Sequence, residues 1–240
     1  MEPRTSVIDR RLRDLSSIIA VASGKGGVGK SLLASILALS LQRSGKTVGL
    51  LDLDLYGPSS HIILGVRDMD FPDEEKGIIP PVVQGIHYMS LIYFSKDKPG
   101  AFRGEDVTNI IIELLAITRW DSLDYLIIDM PPGIGDEVLD VLSFLPQASF
   151  LVVSTPSKVA IGAVEKLLSI LIEEKTSLLG VVENMRRNEK MANPFSTSVP
   201  FLGSLGFDEN IESAIGDPDA LMKTSFAVDV KKIIKKIDTN

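Results

Sequence analysis

A glycine-rich segment that ends in Lys30-Ser31 is the feature that most constrains how this chain can fold. From Gly24 to Ser31 it fits the P-loop pattern G-x-x-x-x-G-K-[ST]. The apolar run at 17–22 predicts a buried strand before the segment, and the pattern at 32–39 predicts a helix after it. In that position, backbone N–H groups and the helix dipole hold phosphate oxygens. The segment therefore predicts a nucleoside triphosphate site in an α/β fold.

The residue types inside the segment fit ATP and magnesium. Glycine lets the backbone approach a phosphate closely, because it has no side chain. Lys30 would neutralise the β and γ phosphates, and the hydroxyl of Ser31 would be a ligand of Mg²⁺. We predict that the ATP-binding residues of this segment are Gly24, Lys25, Gly26, Gly27, Val28, Gly29, Lys30 and Ser31.

Two other interpretations of the same segment stay open. Gly24, Gly26 and Gly29 also satisfy the dinucleotide fingerprint G-x-G-x-x-G, and Asp52 follows at roughly the spacing which that fingerprint expects of its acid. The glycines could also form a purely structural turn. Lys30-Ser31 favours the triphosphate site, because a dinucleotide site needs neither a cation nor a hydroxyl there.

Two acids, Asp52 and Asp54, come at the end of the strand predicted at 47–52. The carboxyl ends of the strands are where α/β sheets bind ligands. We predict that Asp54 positions the attacking water and that Asp52 contributes to the Mg²⁺ shell, with Asp52 the next candidate for the water. The alternative is that the acids cap a helix or a turn. Gly57-Pro58 suits a switch loop that responds to the γ-phosphate.

A third acid, Asp129, ends the apolar run 125–129 and predicts a Walker B arrangement that holds Mg²⁺ through water. The segment 131–133, Pro-Pro-Gly, cannot extend a strand and is predicted to be a stiff second switch. Asn184 follows a strand predicted at 178–182, where an amide can donate to and accept from the edge of an adenine. The alternative for Asn184 is a C-cap or turn residue.

Apolar strands alternate with helices along the chain, and this predicts a doubly wound, mainly parallel sheet with helices on both faces. No linker or repeat divides the chain, so we predict one P-loop domain over 1–240. Its ends would be an arm over 1–16, with a short basic helix or arm at 10–15, and an amphipathic helix over 226–240. The predicted strands are 17–22, 47–52, 86–92, 125–129, 148–153 and 178–182, and the predicted helices are 32–39, 107–118 and 159–174.

Composition narrows the classes of function. Apolar residues make up 45% and charged residues 24%, which is an ordinary globular balance. The net charge of −7 argues against a general nucleic-acid binder, since such proteins are usually basic. No apolar run reaches the length of a membrane span, and the N-terminus lacks the apolar core of a signal peptide, so we expect a cytoplasmic location. The sequence contains no cysteine, so no thiolate of this chain can hold a metal or cluster.

The glycine-rich segment carries a second lysine, Lys25, directly after its first glycine. This arrangement resembles the deviant P-loop of the MinD/ParA/nitrogenase-iron-protein class of ATPases. The resemblance implies a homodimer in which the extra lysine crosses the interface and touches the partner's nucleotide. It therefore implies a catalytic role for Lys25 at the opposite subunit's site.

Several motifs together are similar to those of the Mrp family, also called the ApbC or nucleotide-binding-protein family. The most specific are Asp-x-Asp-x-Tyr-Gly-Pro-Ser, which starts at Asp52, and Asp-x-Pro-Pro-Gly-x-Gly-Asp, which starts at Asp129. The resemblance covers about residues 17–218 and implies a dimeric ATPase that carries or assembles iron–sulfur clusters. The other matching segments are 21–31, Arg103-Gly104, Trp120, 123–128, 182–185 and 200–203.

The chain departs from that family at the cluster site. The family's Cys-x-x-Cys bridges a cluster across the dimer, and counting without gaps from Glu183 puts those cysteines near Lys190 and Asn193. Cluster carriage by the family's own thiolates is therefore excluded for this chain. A supporting role in cluster assembly is implied by the resemblance alone.

Two hypotheses follow. The first is an ATP-hydrolysing dimeric switch in iron–sulfur or other metallocluster maturation, acting with a client or a cysteine-bearing partner. The second is a MinD/ParA-like positioning module recruited to a membrane or partner. It is motivated by a C-terminal pattern in which Val230, Ile233, Ile234 and Ile237 share one helical face and four lysines occupy the rest. The alternative for this pattern is a helix docked on the body with a solvated lysine face.

Overall fold

One sheet organises the molecule in a computed structural model, which describes residues 3–55, 57–67, 70–95, 105–187, 193–195 and 199–237. Within these residues the sheet has eight strands. They are β1 (Ile18–Ser23), β2 (Val48–Asp52), β3 (Val82–Val83), β4 (Ile86–Ser90), β5 (Tyr125–Asp129), β6 (Ser149–Ser154), β7 (Ser177–Arg186) and β8 (Phe201–Gly206).

The strand order across the sheet is β3-β4-β2-β5-β1-β6-β7-β8. Each neighbouring pair is parallel except β3 with β4. The chain moves from β1 to β2 on one side and later from β5 to β6 on the other, so β1 lies at the switch in strand order. Doubly wound sheets bind ligands at the carboxyl ends of strands beside such a switch.

Helices connect the parallel strands and cover the sheet. Those in the described residues are α1 (Pro3–Leu12), α2 (Lys30–Arg43), α3 (Ser60–Ile63), α4 (Ile92–Ser95), α5 (Glu105–Ile117), α6 (Asp136–Phe144), α7 (Lys158–Glu173), α8 (Ile211–Ala214), α9 (Pro218–Leu221) and α10 (Ser225–Ile237). All residues of β1 and β2 are buried, because helices pack over a strand that is apolar on both faces. The predicted fold class is confirmed.

The predicted strands differ from the observed ones mainly at their ends. The strand predicted at 86–92 ends at Ser90, because Ile92 begins the short helix α4. The strand predicted at 178–182 continues to Arg186. Among the elements that were not predicted are the strand β8 and the helix α6. The β8 sequence contains two glycines and a serine in six residues, which weakens its apolar pattern.

The N-terminal segment is a docked helix rather than an arm. Of the two options predicted at 10–15, a short basic helix or an arm, the structure shows a helix, but α1 begins at Pro3 and ends at Leu12. Ile8 and Leu12 are buried on the side that faces α5. Arg11 Nε also donates a hydrogen bond to the carbonyl of Ala116, at 3.2 Å. The spacing of Ile8 and Leu12, one helical turn apart, explains why this side of α1 packs on the body.

The C-terminal helix α10 is also docked. Phe226, Val230 and Ile233 are buried, and the helix packs against β8 and α2. This is the alternative stated for the C-terminal pattern, since the apolar face covers the protein's own core. Among the described residues, no helix is both long enough and apolar enough to span a membrane.

Candidate active site

The glycine-rich segment forms the loop between β1 and α2, as predicted. Gly29 lies directly before α2 with a φ of 84°, and no side chain caps the start of this helix. A Cβ built on Gly26 or Gly27 would meet no atom within 4 Å, so the loop borders open space there. The N-cap residue Gly29 therefore supplies no side chain to the first N–H groups of α2, and a helix start of this kind favours an anion.

Two glycines of the loop are needed for packing as well. A Cβ on Gly24 would lie 2.5 Å from the backbone carbon of Ala163 in α7, so only glycine lets the loop approach that helix. A Cβ on Gly29 would collide with the side-chain amide of Asn184. The loop is thus held between α7 and the end of β7.

A buried ion pair lies at the base of the loop. Lys30 Nζ is 2.5 Å from Asp129 Oδ1, and the two side chains are 5% and 0% exposed. Burial raises the pKa of Asp129, although the charge of Lys30 and hydrogen bonding from Lys30 and Ser31 oppose this shift. Among the described residues, Asp129 Oδ2 is a buried atom without a hydrogen-bond partner. Asp129 therefore retains one buried oxygen that can accept a ligand.

The oxygen chemistry of this corner fits Mg²⁺. The orphaned oxygen of Asp129 and the hydroxyl of Ser31 are hard donors of the kind that Mg²⁺ prefers. Within the described part of the chain, no group of three or more His, Cys, Asp or Glu residues could hold a metal ion. A magnesium ion here would therefore depend on phosphate oxygens and water, as it does in sites that keep only one or two carboxylates.

Asp52 and Asp129 end neighbouring strands and are paired in register. Both oxygens of Asp52 accept hydrogen bonds from the loop that follows, from Asp54 N at 3.0 Å and from Ser60 N at 3.3 Å. Asp54 Oδ1 in turn accepts from Gly57 N at 3.0 Å. The structure thus shows the capping contacts that were the alternative for these acids. These contacts do not test the role of Asp52 toward Mg²⁺ or the role of Asp54 toward the attacking water, so both roles stay predictions.

Two residues near Asp52 were missed by sequence reasoning, Ser60 and Tyr88. Ser60 Oγ donates to Asp52 Oδ2, and the oxygens of Ser60 and Tyr88 lie 2.9 Å apart. Burial, and then the charge of Asp129, raise the pKa of Asp52 to about 7, although the Ser60 hydrogen bond opposes the shift. One sequence signal pointed to them. Ser60 follows β2 and Tyr88 lies in β4, and the carboxyl ends of these two strands meet at this edge of the sheet.

The second predicted switch lies against β1. The N–H of Gly133 donates to the carbonyl of Ser23 at 2.9 Å, and the N–H of Met130 donates to Val21 at 3.1 Å. Gly133 has a φ of 100°, a conformation that suits glycine. The segment after Asp129 is therefore connected by hydrogen bonds to the strand that leads into the glycine-rich loop.

Asn184 reaches the glycine-rich loop from β7. Its Nδ2 donates to the carbonyl of Val28 at 2.8 Å, and its Oδ1 accepts from Met185 N at 2.7 Å. A cavity of about 250 Å³ opens beside it. Residues from α2, β7, β8 and α10 line this cavity, among them Gly29, Leu32, Asn184, Met185, Phe207 and Phe226. Among the described residues, the amide nitrogen of Asn184 donates only this one bond, so its second N–H can serve the predicted adenine contact.

Lys25 lies on the loop with a half-buried side chain, and its carbonyl accepts a hydrogen bond from Ser23 Oγ at 3.0 Å. A role across a dimer concerns a second subunit, so this role stays a prediction. Tyr56, Arg103 and Gly104, which belong to the family resemblance, lie outside the described residues, as does Lys190, one of the two counted cysteine positions. Asn193, the other counted cysteine position, accepts a hydrogen bond from Phe195 N at 2.9 Å.

The comparisons with known proteins agree on one family. A family model described as ParA, NUBPL iron-transfer P-loop NTPase, matches residues 14–240. An iron-sulfur cluster carrier protein of Saccharolobus solfataricus is 34% identical over 262 residues, which is 97% of this chain and 88% of that protein. A cytosolic Fe-S cluster assembly factor Nubp2 homolog of Drosophila yakuba is 34% identical over 95% of this chain and 98% of its own length.

Other relatives are longer than the matched region. An iron-sulfur cluster carrier protein of Pseudomonas fragi is 41% identical over 177 residues, 72% of this chain, but the match spans only 62% of that protein. Among solved structures, a nucleotide-binding protein from Archaeoglobus fulgidus in complex with ADP superposes with a TM-score of 0.74 and 30% identity, covering 91% of this chain and 93% of that one. MinD from Pyrococcus horikoshii with Mg-ADP gives a TM-score of 0.70 at 21% identity over 92% and 96%, which shows the shared fold.

Proposed function

The chain belongs to the family of the NUBPL iron-transfer P-loop NTPases, and on that basis we propose that it is a Mg²⁺-dependent ATPase that works as a dimeric molecular switch. The observation that carries this proposal is the ion pair of Lys30 with Asp129 at the uncapped start of α2. It brings a cation, a carboxylate with one oxygen unpartnered among the described residues, and the backbone N–H groups of a helix start to one corner of the sheet.

ATP binds along the glycine-rich loop in this proposal. The loop N–H groups and Lys30 hold the phosphates, while the base occupies the cavity beside Asn184. Ser31 and Asp129 hold Mg²⁺, and Asp52 contributes to its shell from the neighbouring strand. When bound, the metal neutralises charge on the β and γ phosphates. The complex of the Archaeoglobus fulgidus protein with ADP supports a nucleotide as the ligand.

Hydrolysis then depends on Asp54. Its half-buried carboxylate lies two residues beyond the sheet edge, in the loop that Asp52 caps. We assign it the orientation of the attacking water, with Asp52 the next candidate. In a P-loop site most of the rate enhancement comes from positioning the reactants and stabilising charge. The carboxylate of Asp54, with Lys30 and Mg²⁺ at the phosphates, would therefore be sufficient for hydrolysis.

Dimerisation completes the site in this proposal. Two subunits face each other across two bound nucleotides, and Lys25 of each subunit stabilises charge at the nucleotide of the other. The half-exposed position of Lys25 on the loop, beside open space at Gly26 and Gly27, is compatible with that role.

We infer a role in iron–sulfur cluster assembly from the names of the relatives in Saccharolobus solfataricus and Drosophila yakuba. Because the sequence contains no cysteine, thiolates for a cluster would come from a client or partner protein. The cytosolic Drosophila relative supports a cytoplasmic location, and the net charge of −7 gives no support for nucleic acid as the partner. Recruitment to a membrane by the C-terminal helix is less well supported, because its apolar side chains are buried on the body.

The direct test is phosphate release from ATP by the purified full-length chain, with and without Mg²⁺. We expect turnover that stops when the metal is chelated and that is lost in Asp54→Asn. Absence of turnover in the wild type, in the presence of Mg²⁺ and under conditions where ATP binds, would overturn the ATPase proposal. Cysteine-bearing proteins that co-purify with Asp54→Asn in its ATP state would identify the client.

A further inference from the structure

A buried hydrogen-bond chain joins β2, α3 and β4 behind the acidic loop. Ser60 Oγ donates to Asp52 Oδ2, and Ser60 Oγ lies 2.9 Å from Tyr88 Oη. The three side chains are almost completely buried, at 1% exposed for Asp52 and 0% for Ser60 and Tyr88. Buried polar groups that satisfy each other in this way fix one geometry, because no water can replace a lost partner.

The direction of the chain follows from the chemistry of its members. Burial, and then the charge of Asp52, raise the pKa of Tyr88 well above its ordinary value, so its hydroxyl stays protonated. Since the hydroxyl of Ser60 donates to Asp52, Tyr88 donates to Ser60. Tyr88 is held in turn by β4, which pairs in parallel with β2.

Asp52 closes the acidic loop from both ends. Its Oδ1 accepts from the N–H of Asp54 at 3.0 Å, and its Oδ2 accepts from the N–H of Ser60 at 3.3 Å. One carboxylate therefore fixes the backbone at two positions six residues apart. Asp54 is the first residue of the segment closed in this way, and its Oδ1 accepts from Gly57 N at 3.0 Å.

We propose that Asp52, Ser60 and Tyr88 form a loop staple that holds Asp54 in place for hydrolysis, which makes Ser60 and Tyr88 positioning residues of the reaction. This inference rests on the proposed ATPase function. It explains why two hydroxyls are buried behind the acidic loop, where packing alone would be served by apolar side chains. In this proposal Asp52 also contributes to hydrolysis indirectly, because it fixes the backbone of the loop that carries Asp54.

The test combines turnover with amide hydrogen exchange of the segment 53–60 in the full-length protein. In Ser60→Ala we expect kcat to fall roughly tenfold, because small displacements of a catalytic group lower rates by such factors, while the Kd for ATP stays within about twofold. The N–H groups of residues 54 and 60 should exchange faster, since the Ser60 hydroxyl no longer holds their shared acceptor, the carboxylate of Asp52, in place. Tyr88→Phe removes one oxygen only and should shift both measurements in the same direction.

Ser35→Ala is the matched control. Ser35 is also fully buried, and among the described residues its hydroxyl has no hydrogen-bond partner, so its loss should change neither measurement. In the double variant with Asp54→Asn, Ser60→Ala should cause no further loss of turnover, because both act through one carboxylate. Additive losses would indicate a merely structural role and overturn the proposal.

The outcomes separate the staple from the proposed function. If the wild type does not hydrolyse ATP, the ATPase proposal fails, and the exchange of the 53–60 amides still decides whether the staple holds the loop. Unchanged exchange and unchanged kcat in both Ser60→Ala and Tyr88→Phe would overturn the staple, even where the wild type is an active ATPase. If Ser60→Ala does not fold, Tyr88→Phe alone decides by the same two measurements.

Discussion

Lys30 and Asp129 form an ion pair in the interior of the protein, with 2.5 Å between Lys30 Nζ and Asp129 Oδ1. The pair joins the first residue of α2 to the last residue of β5. Burying two charges is costly unless each has a partner, so neither can be removed without consequence for the other. In the proposed ATP complex, Lys30 would gain phosphate oxygens as acceptors, and the second oxygen of Asp129 would help to hold Mg²⁺ through water.

Lys30→Ala should weaken ATP binding by on the order of a hundredfold or more. Each hydrogen bond to a charged group contributes about 1.5–3 kcal/mol, and this variant loses those to the β and γ phosphates. Binding of a fluorescent ATP analogue measures the loss. The variant also leaves Asp129 without its cation, so we expect a lower thermal stability.

A double variant separates these two effects. Lys30→Ala with Asp129→Asn removes both charges, and we expect it to recover much of the lost stability but none of the ATP affinity. Near-normal affinity in Lys30→Ala would remove the assignment of Lys30 to the phosphates.

Asp54→Asn should retain ATP binding and lose turnover, since an amide is a poor partner for the attacking water. Removal of a positioned general base lowers rates by about 10²–10⁴-fold. Single-turnover phosphate release measures the effect, and Asp73→Asn, at an exposed acid in another loop, is the control. Full turnover in Asp54→Asn would move the water-positioning role to Asp52.

The sequence predicted the parts of the site that follow from local pattern. The bounds of β5, Tyr125–Asp129, were predicted correctly because an apolar run ends there in an acid and two prolines. The loop from Gly24 to Ser31 was predicted because Lys30-Ser31 completes a spacing that is typical of a phosphate-binding loop between a strand and a helix. Ser60 and Tyr88 could not be predicted, because their hydrogen bond joins residues 28 positions apart and depends on the register of β2 with β4.

Lys25→Ala should bind ATP and fail to dimerise in its presence. The expectation rests on the lysine after the first glycine of the loop, and the test is sedimentation with a non-hydrolysable ATP analogue. Lys46→Ala, at an exposed lysine in the turn before β2, is the matched control and should dimerise like the wild type. Equal dimerisation of Lys25→Ala and wild type would contradict the predicted role of Lys25 across the dimer interface.

Anaerobic reconstitution with iron and sulfide should leave no stable cluster on the purified chain. Clusters are held mainly by cysteine thiolates, and the sequence contains no cysteine and only two histidines, His61 and His87. Absorption in the visible range after desalting is the measurement. A bound cluster at about one per dimer would contradict the expectation and restore the carrier function that the relatives' names suggest.

A single carboxylate holds the start of α10 on the body. Asp208 Oδ2 accepts from the N–H and the hydroxyl of Ser225, both at 2.7 Å, and from the N–H of Phe226 at 3.4 Å. These contacts satisfy free N–H groups of the helix start. Hydrogen bonding from Ser225, and then from Asn210, lowers the pKa of Asp208 to about 2 from its ordinary value of 3.8.

Asp208→Asn should lower the free energy of unfolding at pH 7 by about 1 kcal/mol or less, because an amide is a weaker acceptor at a helix start and the site is largely exposed to solvent. The pKa of Asp208 is lower in the folded than in the unfolded protein, so its stabilisation is complete above pH 4 and is lost as the pH falls toward 2. Urea unfolding of wild type and variant at several pH values measures the difference, which should shrink below pH 4. Asp73→Asn serves as the control at an exposed acid. A difference that does not change with pH would show that Asp208 stabilises α10 by shape alone and not by its charge.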